Sequence, residues 1–350
     1  MGKLVDRVSK PSSSGNRHLP PSDFGALMSI EKINDNHYRS LKTPFKPAQA
    51  PGVFGGHLLA QSLYVASKTV PRLYICNNMQ AQFLHGNTDS VPFHYLIERV
   101  RDGSRYLVRS VRVFQYIPSH IRNSRPSGKS EDKATLVFTA LVSFKKIEEP
   151  GQIVIVKDGE DEGFEKWSHR PPAPVLAIKP EECSSAPDID IPKWIEWASD
   201  ESNQYIQIQH AIDVRKVPHT YARQEEEFAS RKMYHYYKSV TKIDDDPNLH
   251  LSAHIYASDR NSLFIASRII GKADSIEQVT SLTHAIVFFP PSSLDNKSFA
   301  PADDGWSLME SWTGRSGDGR ILYSGRLYDE QGCMIAEFLQ DGMAIFSGKL

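Results

Sequence analysis

The 350-residue chain is poor in cysteine, and Cys76, Cys183 and Cys333 stand far apart and odd in number. That argues against a disulfide framework or a cysteine-rich zinc site and suits a reducing compartment. No apolar run reaches the ~20 residues of a membrane span. The first residues, with Ser9, Lys10, Pro11, Ser12, Ser13, Ser14 and Gly15, lack the apolar centre of a signal peptide. The chain also lacks a large net charge: 41 Lys and Arg face 42 Asp and Glu, so no global field favours nucleic acid or an anionic membrane. Local basic runs can still meet a phosphorylated cofactor. No G-x-S-x-G elbow occurs, which argues against an α/β-hydrolase with a serine nucleophile. What is present is an ordinary core composition, 40% apolar, in a length that suits one large domain or two of common size. A soluble intracellular protein is expected.

Residues 1–25 carry Ser, Pro, Gly and charge without periodicity and read as a mobile arm. Leu59, Leu63, Ala66 and Val70 recur at helical spacing, so Gly55 to Val70 reads as a helix that Pro71 ends. Phe93 to Val100 and Tyr106 to Phe114 read as strands across Arg101-Asp102-Gly103, a hairpin signal. Ser119 to Lys133 is an exposed loop in this reading, and Thr135 to Phe144 another strand. The second half repeats the order. Leu251 to Ile270 contains a helical stretch, with Asp259 inside it, despite the Ser, Asp and Asn there, and His284 to Phe289 is β-prone. Strands then flank Asp318-Gly319 and Glu330-Gln331-Gly332. Asp102-Gly103-Ser104-Arg105-Tyr106-Leu107 and Asp318-Gly319-Arg320-Ile321-Leu322-Tyr323 match in order, which suggests internal duplication. The expected division is an arm over 1–25, one unit over 26–147, a Pro-rich acidic linker over 148–203 and a second unit over 204–350. Gln204 to Val214 is expected to open that second unit as a strand, and Met233 to Thr241 reads as either strand or helix. Each unit is a helix with few polar positions followed by antiparallel strands, and a curved sheet wrapped round the helix would cover it.

Several short runs resemble the acyl-CoA thioesterase II family. Gly55-Gly56-His57-Leu58-Leu59-Ala60-Gln61 is similar to its helix start, and Glu98-Arg99-Val100-Arg101-Asp102-Gly103 to its hairpin. Tyr256-Ala257-Ser258-Asp259, with His250 before it, resembles its Y-A-S-D motif. Ser281-Leu282-Thr283-His284 resembles its S-L-D-H, and Gln340-Asp341-Gly342 its Q-E-G. The resemblance implies an α+β double hotdog that hydrolyses fatty acyl-CoA without metal or prosthetic group. It assigns the catalytic roles to Asp259, Ser281 and Gln340, and it implies a homo-oligomer. Thr283 replaces the family's Asp, Val287-Phe288-Phe289-Pro290-Pro291 its Trp-Phe-His-Arg-Pro, and His85-Gly86-Asn87 its Arg-Pro-Gly turn.

The chemistry suits these residue types. A thioester carbonyl is electrophilic, so a positioned water attacks it once a group accepts the proton and a donor stabilises the oxyanion. Asp259 can be that base, with Ser281 and the Gln340 amide orienting the water. Taken singly, each has a blander reading: a solvated or capping Asp, a satisfied hydroxyl, a sheet-edge amide. His250 and His254 lie four apart and could face one way as metal ligands, but no Glu follows His250 and no third ligand is evident. Ser127-Gly128-Lys129-Ser130 ends like a phosphate loop, yet Asn123 stands where its first Gly belongs. Arg99, Arg101, Arg105, Arg109 and Arg112 could meet coenzyme A phosphates, against the commoner reading of a solvated sheet face. That reading puts Arg105 and Arg109 on one strand face and Arg112 on the other. An acyl-binding protein and a hotdog-type dehydratase using His57 or His254 are the alternatives to hydrolysis. The terminal Gly348-Lys349-Leu350 resembles the Ser-Lys-Leu address read by the peroxisomal import receptor, so peroxisomes are the expected location, with the cytoplasm the alternative.

Overall fold

The computed structural model describes residues 23–44, 46, 47, 50, 52–116, 134–147, 169–187, 189–199, 211–218, 231–289 and 305–347. The Ser127–Ser130 run, the 119–133 loop, most of the arm and the terminal tripeptide lie outside the described residues, as do 204–210 of the expected opening strand.

Among the described residues the first half supplies strands β1 (Ile30–Asn34), β2 (His37–Ser40), β3 (Tyr74–Phe83), β4 (His94–Asp102), β5 (Tyr106–Tyr116) and β6 (Ala134–Lys146) around helix α1 (Gly55–Ser67). The second supplies β7 (Ser184–Ser185), β8 (Ile212–Lys216), β9 (Lys232–Ser239), β10 (Ile276–Phe288), β11 (Ser307–Gly317), β12 (Arg320–Tyr328) and β13 (Met334–Phe346), with helices α2 (Pro247–Ser258) and α3 (Ser262–Ile269). All strands join one sheet in the order β1-β2-β4-β5-β6-β3-β10-β13-β12-β11-β9-β8-β7. β3 pairs antiparallel with β10, from Thr283 opposite Gln82 to Val287 opposite Asn78, so the two halves share one continuous ladder.

Nearly every residue of α1 and α2 is buried. Such helices need cover on all sides, and the sheet supplies it: inward residues of β5 (Leu107, Arg109, Val111, Val113, Gln115) alternate with outward ones. The helices pack on each other antiparallel. Lys68, after the last turn of α1, pairs with Asp246 before the first turn of α2, while Gly55 at the start of α1 meets Asp259 at the end of α2. Asn248 of α2 reaches into the first half, accepting from the Cys76 N–H at 2.9 Å and donating to the Tyr74 carbonyl at 3.0 Å.

Three sequence expectations are corrected. Asp259, expected inside the helical stretch within Leu251–Ile270, instead ends one helix, and the span holds parts of two, broken at Asp259–Asn261. The two Asp-Gly turns differ: Asp318 and Gly319 both have positive φ (51° and 72°), the two-residue turn whose twist suits a hairpin, whereas Asp102 is still in β4 and a longer loop follows. Arg109 is neither a solvated residue nor free to meet a phosphate. Its guanidinium is buried, donating to Asp102 Oδ1 at 2.6 Å, Thr69 Oγ1 at 2.9 Å and the Arg101 carbonyl at 3.1 Å. It clamps the end of α1 to the hairpin.

Candidate active site

The break after α2 is built by its own residues. Asn261 adopts the left-handed conformation (φ 56°, ψ 12°), which Asn tolerates better than most residues. Its side chain is fixed from outside the helix, accepting from the Asp190 N–H at 2.9 Å and donating to the Pro187 carbonyl at 2.8 Å. The turn leaves Asp259 at the C-cap of α2, buried and aimed across the interface at α1.

Ser281 arrives from β10 through a register shift. Ser281 pairs with Gly342 and Thr283 with Asp341, so one residue is extra on β10. Such a bulge re-aims side chains. It lets both Ser281 and His284 reach the buried side, while Thr283 joins Gln80 and Gln82 in a groove of about 430 Å³ on the sheet. Gln340, on β13 opposite His284 and Tyr323, is fully buried.

These three side chains meet. Gln340 Nε2 donates to Asp259 Oδ1 at 2.8 Å and to Ser281 Oγ at 2.7 Å. Ser262 Oγ, in the first turn of α3, donates to the same Asp259 oxygen at 3.2 Å. The Gly56 N–H, in the first turn of α1, donates to the Asp259 carboxyl. The approach is close: a Cβ on Gly55 would lie 2.8 Å from Asp259 Oδ2 and 3.1 Å from the Phe83 ring. Burial pushes the Asp259 carboxyl up to about 6, against the pull of the donors from Gln340, Ser262 and Gly56. At neutral pH it is therefore a carboxylate, but a more basic one than in water. Aromatic rings wall the site: Phe83 packs edge-on against Phe138, and Phe54 and Phe24 against Tyr256.

The structure thus brings together Asp259, Ser281 and Gln340, the three residues expected from the motifs. The sequence reading missed Ser262, the Gly56 amide and Phe83. Ser262 had a signal, a hydroxyl three residues past the Asp at the start of a helical run; Gly56 stood in the Gly55-Gly56 helix start, though its contact with Asp259 was not foreseen, and Phe83 had no signal. The donors at the Asp259 carboxyl are those of Gln340, Ser262 and Gly56, and the histidines considered above are buried in surroundings of their own. His254 Nδ1 is 2.6 Å from the Tyr237 hydroxyl, and burial pushes the His57 imidazole down to about 4. Among the described residues no group of three or more His, Cys, Asp or Glu could hold a metal ion.

Two antiparallel helices wrapped by one antiparallel sheet, with a carboxylate, a hydroxyl and an amide converging between the units, define a double hotdog of the thioester-hydrolase class. Residues 44–145 match the acyl-CoA thioesterase N-terminal domain and residues 180–344 the acyl-CoA thioesterase C-terminal domain. The chain belongs to the acyl-CoA thioesterase II family. It is 22% identical over 334 residues to human acyl-coenzyme A thioesterase 8, covering 94% of this chain and 92% of that one. A shorter match, 22% over 123 residues, covers 35% of this chain and 30% of the peroxisomal acyl-coenzyme A thioester hydrolase 1 of Saccharomyces cerevisiae. The fold is that of an acyl-CoA thioesterase II from Mycobacterium marinum, with a TM-score of 0.60, 22% identity, and coverage of 93% and 99% of the two chains.

Proposed function

We propose that this chain hydrolyses acyl-CoA to free acid and coenzyme A with a water that Asp259, Ser281 and Gln340 hold against the thioester carbonyl. The observation that carries this reading is the Gln340 amide bridging Asp259 and Ser281, with the carboxylate raised in basicity by burial. In the reaction the Asp259 carboxylate takes a proton from water as its oxygen bonds to the carbonyl carbon. The Ser281 hydroxyl orients the water or meets the oxyanion. Collapse of the tetrahedral species breaks the C–S bond, and the proton on Asp259 passes to the departing thiolate. General-base help of this kind contributes about 100- to 10,000-fold. Ser281 Oγ, the hydroxyl facing the water, is met by the Gln340 amide rather than by a histidine, so the proposed route runs without an acyl-enzyme. The test is release of free thiol from acyl-CoA by the purified protein and by Asp259→Asn. A folded Asp259→Asn protein with full turnover would sink the assignment, and a wild-type protein that binds but never releases thiol would leave an acyl-binding role.

Two further attributes of that enzyme are proposed, its assembly and its address. Leu141, Val287, Leu339, Met343 and Ile345 are exposed on the outward side of β6, β10 and β13, a patch that favours self-association, so a homo-oligomer is expected by light scattering. The name of the yeast relative supports a peroxisomal address. An N-terminally tagged fluorescent fusion that stays diffuse would remove it.

A further inference from the structure

One buried ring beside the trio has no part in the chemistry above. His284 is fully buried and stands directly opposite Gln340 across β10 and β13. Its imidazole lies nearly parallel to the Phe338 ring, centroids 5.7 Å apart, which fixes its plane. Nε2 is 3.1 Å from Ser258 Oγ, the residue immediately before Asp259. Two polar atoms in this small volume are buried without a hydrogen-bond partner: His284 Nδ1 and Gln340 Oε1. A bare buried donor or acceptor is costly, and each of these atoms is what the other lacks. Burial holds the imidazole neutral, down at about 4, and Gln340 acts in the opposite sense, favouring the protonated ring, as an amide does when its carbonyl end faces an imidazole.

We infer that His284 is a positioning residue which, as the Nδ1–H tautomer, donates to Gln340 Oε1 and so aims the Gln340 NH2 group at Asp259 and Ser281. This rests on the reading of the trio given above. The tautomer turns on which way the single Ser258 hydrogen points. The Ser258 hydroxyl lies 2.9 Å from the Ile255 carbonyl as well as beside Nε2. If its hydrogen goes to Ile255, Nε2 must carry the ring proton, and Nδ1 then turns a lone pair toward the Gln340 carbonyl. If its hydrogen goes to Nε2, Nδ1–H is free for Oε1 and both ring nitrogens are satisfied. The second arrangement makes a continuous line: Ser258 to His284, His284 to Gln340, Gln340 to Asp259 and Ser281. It has a chemical consequence at the far end. Ser281 Oγ is occupied as an acceptor by Gln340, so its own hydrogen is directed away from the amide, toward the water or the thioester oxygen. Without the ring, the amide would lose the contact that opposes its rotation, and Ser281 would lose its fixed role as donor.

The test has two arms. Neutron diffraction from the unaltered protein should place deuterium on His284 Nδ1 and aim the Ser258 hydroxyl at Nε2; deuterium on Nε2 with Nδ1 bare overturns the inference without any variant. In the kinetic arm, His284→Phe keeps the ring and its stacking but removes the donor. It should lower kcat about ten- to a hundredfold with KM within about twofold. His284→Asn, whose amide N–H reaches about where Nδ1 stands, should recover most of that loss. Native kcat in His284→Phe, or equal impairment of the two variants at matched melting temperature, overturns the proposal. Asp259→Asn is assayed alongside. If it alone is inactive and His284→Phe is not impaired, only this inference fails; if Asp259→Asn is fully active, the reading of the trio fails.

Discussion

The two unit helices begin in different ways, and the difference accounts for the site. α2 is capped by its own chain: Asp246 accepts from the Asn248 and Leu249 N–H groups at 3.0 and 3.4 Å, with Pro247 in the first turn, a common helix start. α1 has Phe54 at its N-cap and no side-chain cap. Its Gly56 N–H is met by Asp259 from the other unit. Because the helices are antiparallel, each end of the pair sets one helix start against the other helix's end. At one end stands Asp246, about a third exposed and paired with Lys68 at 2.7 Å; at the other stands Asp259, buried and met by the uncharged donors of Gln340, Ser262 and Gly56. Both carboxylates sit at a helix start, where the backbone favours negative charge. Burial makes the second one a base and leaves the first a cap.

Exchanging charge for amide at both ends should break the symmetry most sharply. Asp259→Asn should cut kcat by about 100- to 10,000-fold, whereas Asp246→Asn, which still caps, should leave kcat unchanged and cost at most about 1 kcal/mol of stability. Activity loss at both ends would mean that the ends are equivalent and would remove the argument from burial. Gly55→Ala comes next. A methyl there improves helix propensity by up to about 1 kcal/mol, yet it would stand 2.8 Å from Asp259 Oδ2. The expected outcome is a melting temperature that holds or rises with kcat down about ten- to a hundredfold. A variant that keeps native kcat would show that the close approach is irrelevant to turnover.

The pH profile sharpens the same contrast. The active form of Asp259 is the carboxylate, and burial raises its pKa from 3.8 to about 6. kcat/KM should therefore level off above that value and fall about tenfold per pH unit below it. The sign for stability is opposite to that of a salt-bridged Asp. The folded state holds this proton more tightly than the unfolded chain, so the group's contribution to stability is present below 3.8 and lost as pH rises through about 6. A flat profile between pH 5 and 7 would mean that Asp259 is not the titrating base.

What could be read in the sequence divides along physical lines. Helix periodicity at Leu59, Leu63 and Ala66 and alternation in β5 are local, and the structure bears them out, although the helix closes at Ser67, short of the expected Val70. The trio came through short motifs, each carried by residues that stand together in the chain. The break after α2 was concealed because Asn261 is held by Pro187 and Asp190, contacts that no local pattern announces. The bulge at Ser281–Thr283 was concealed for a related reason: one extra residue changes which face each side chain takes, and only the partner strand reveals it. β3 went unread because Asn77, Asn78, Gln80 and Gln82 dilute its apolar signal; Gln80 and Gln82 line the outer groove where it joins β10. Arg109 was assigned to solvent because a strand with five buried inward positions rarely spends one on a guanidinium.

The smallest effect belongs to the wet end of the helix pair. Lys68 Nζ sits 2.7 Å from Asp246 and 4.0 Å from the centre of the Tyr64 ring, and about a third of each charged side chain is exposed. Solvent at that exposure screens the pair, so Lys68→Ala should cost only about 0.2–1 kcal/mol, with the Tyr64 contact adding about 0.5–1. The loss should shrink as salt is raised, while kcat at the opposite end stays native. Chemical denaturation at two ionic strengths measures it. If Lys68→Ala instead lowered kcat, the two ends would be mechanically coupled through α1, and the carboxylate of Asp259 would owe its placement to the far ion pair as well as to the glycines it touches.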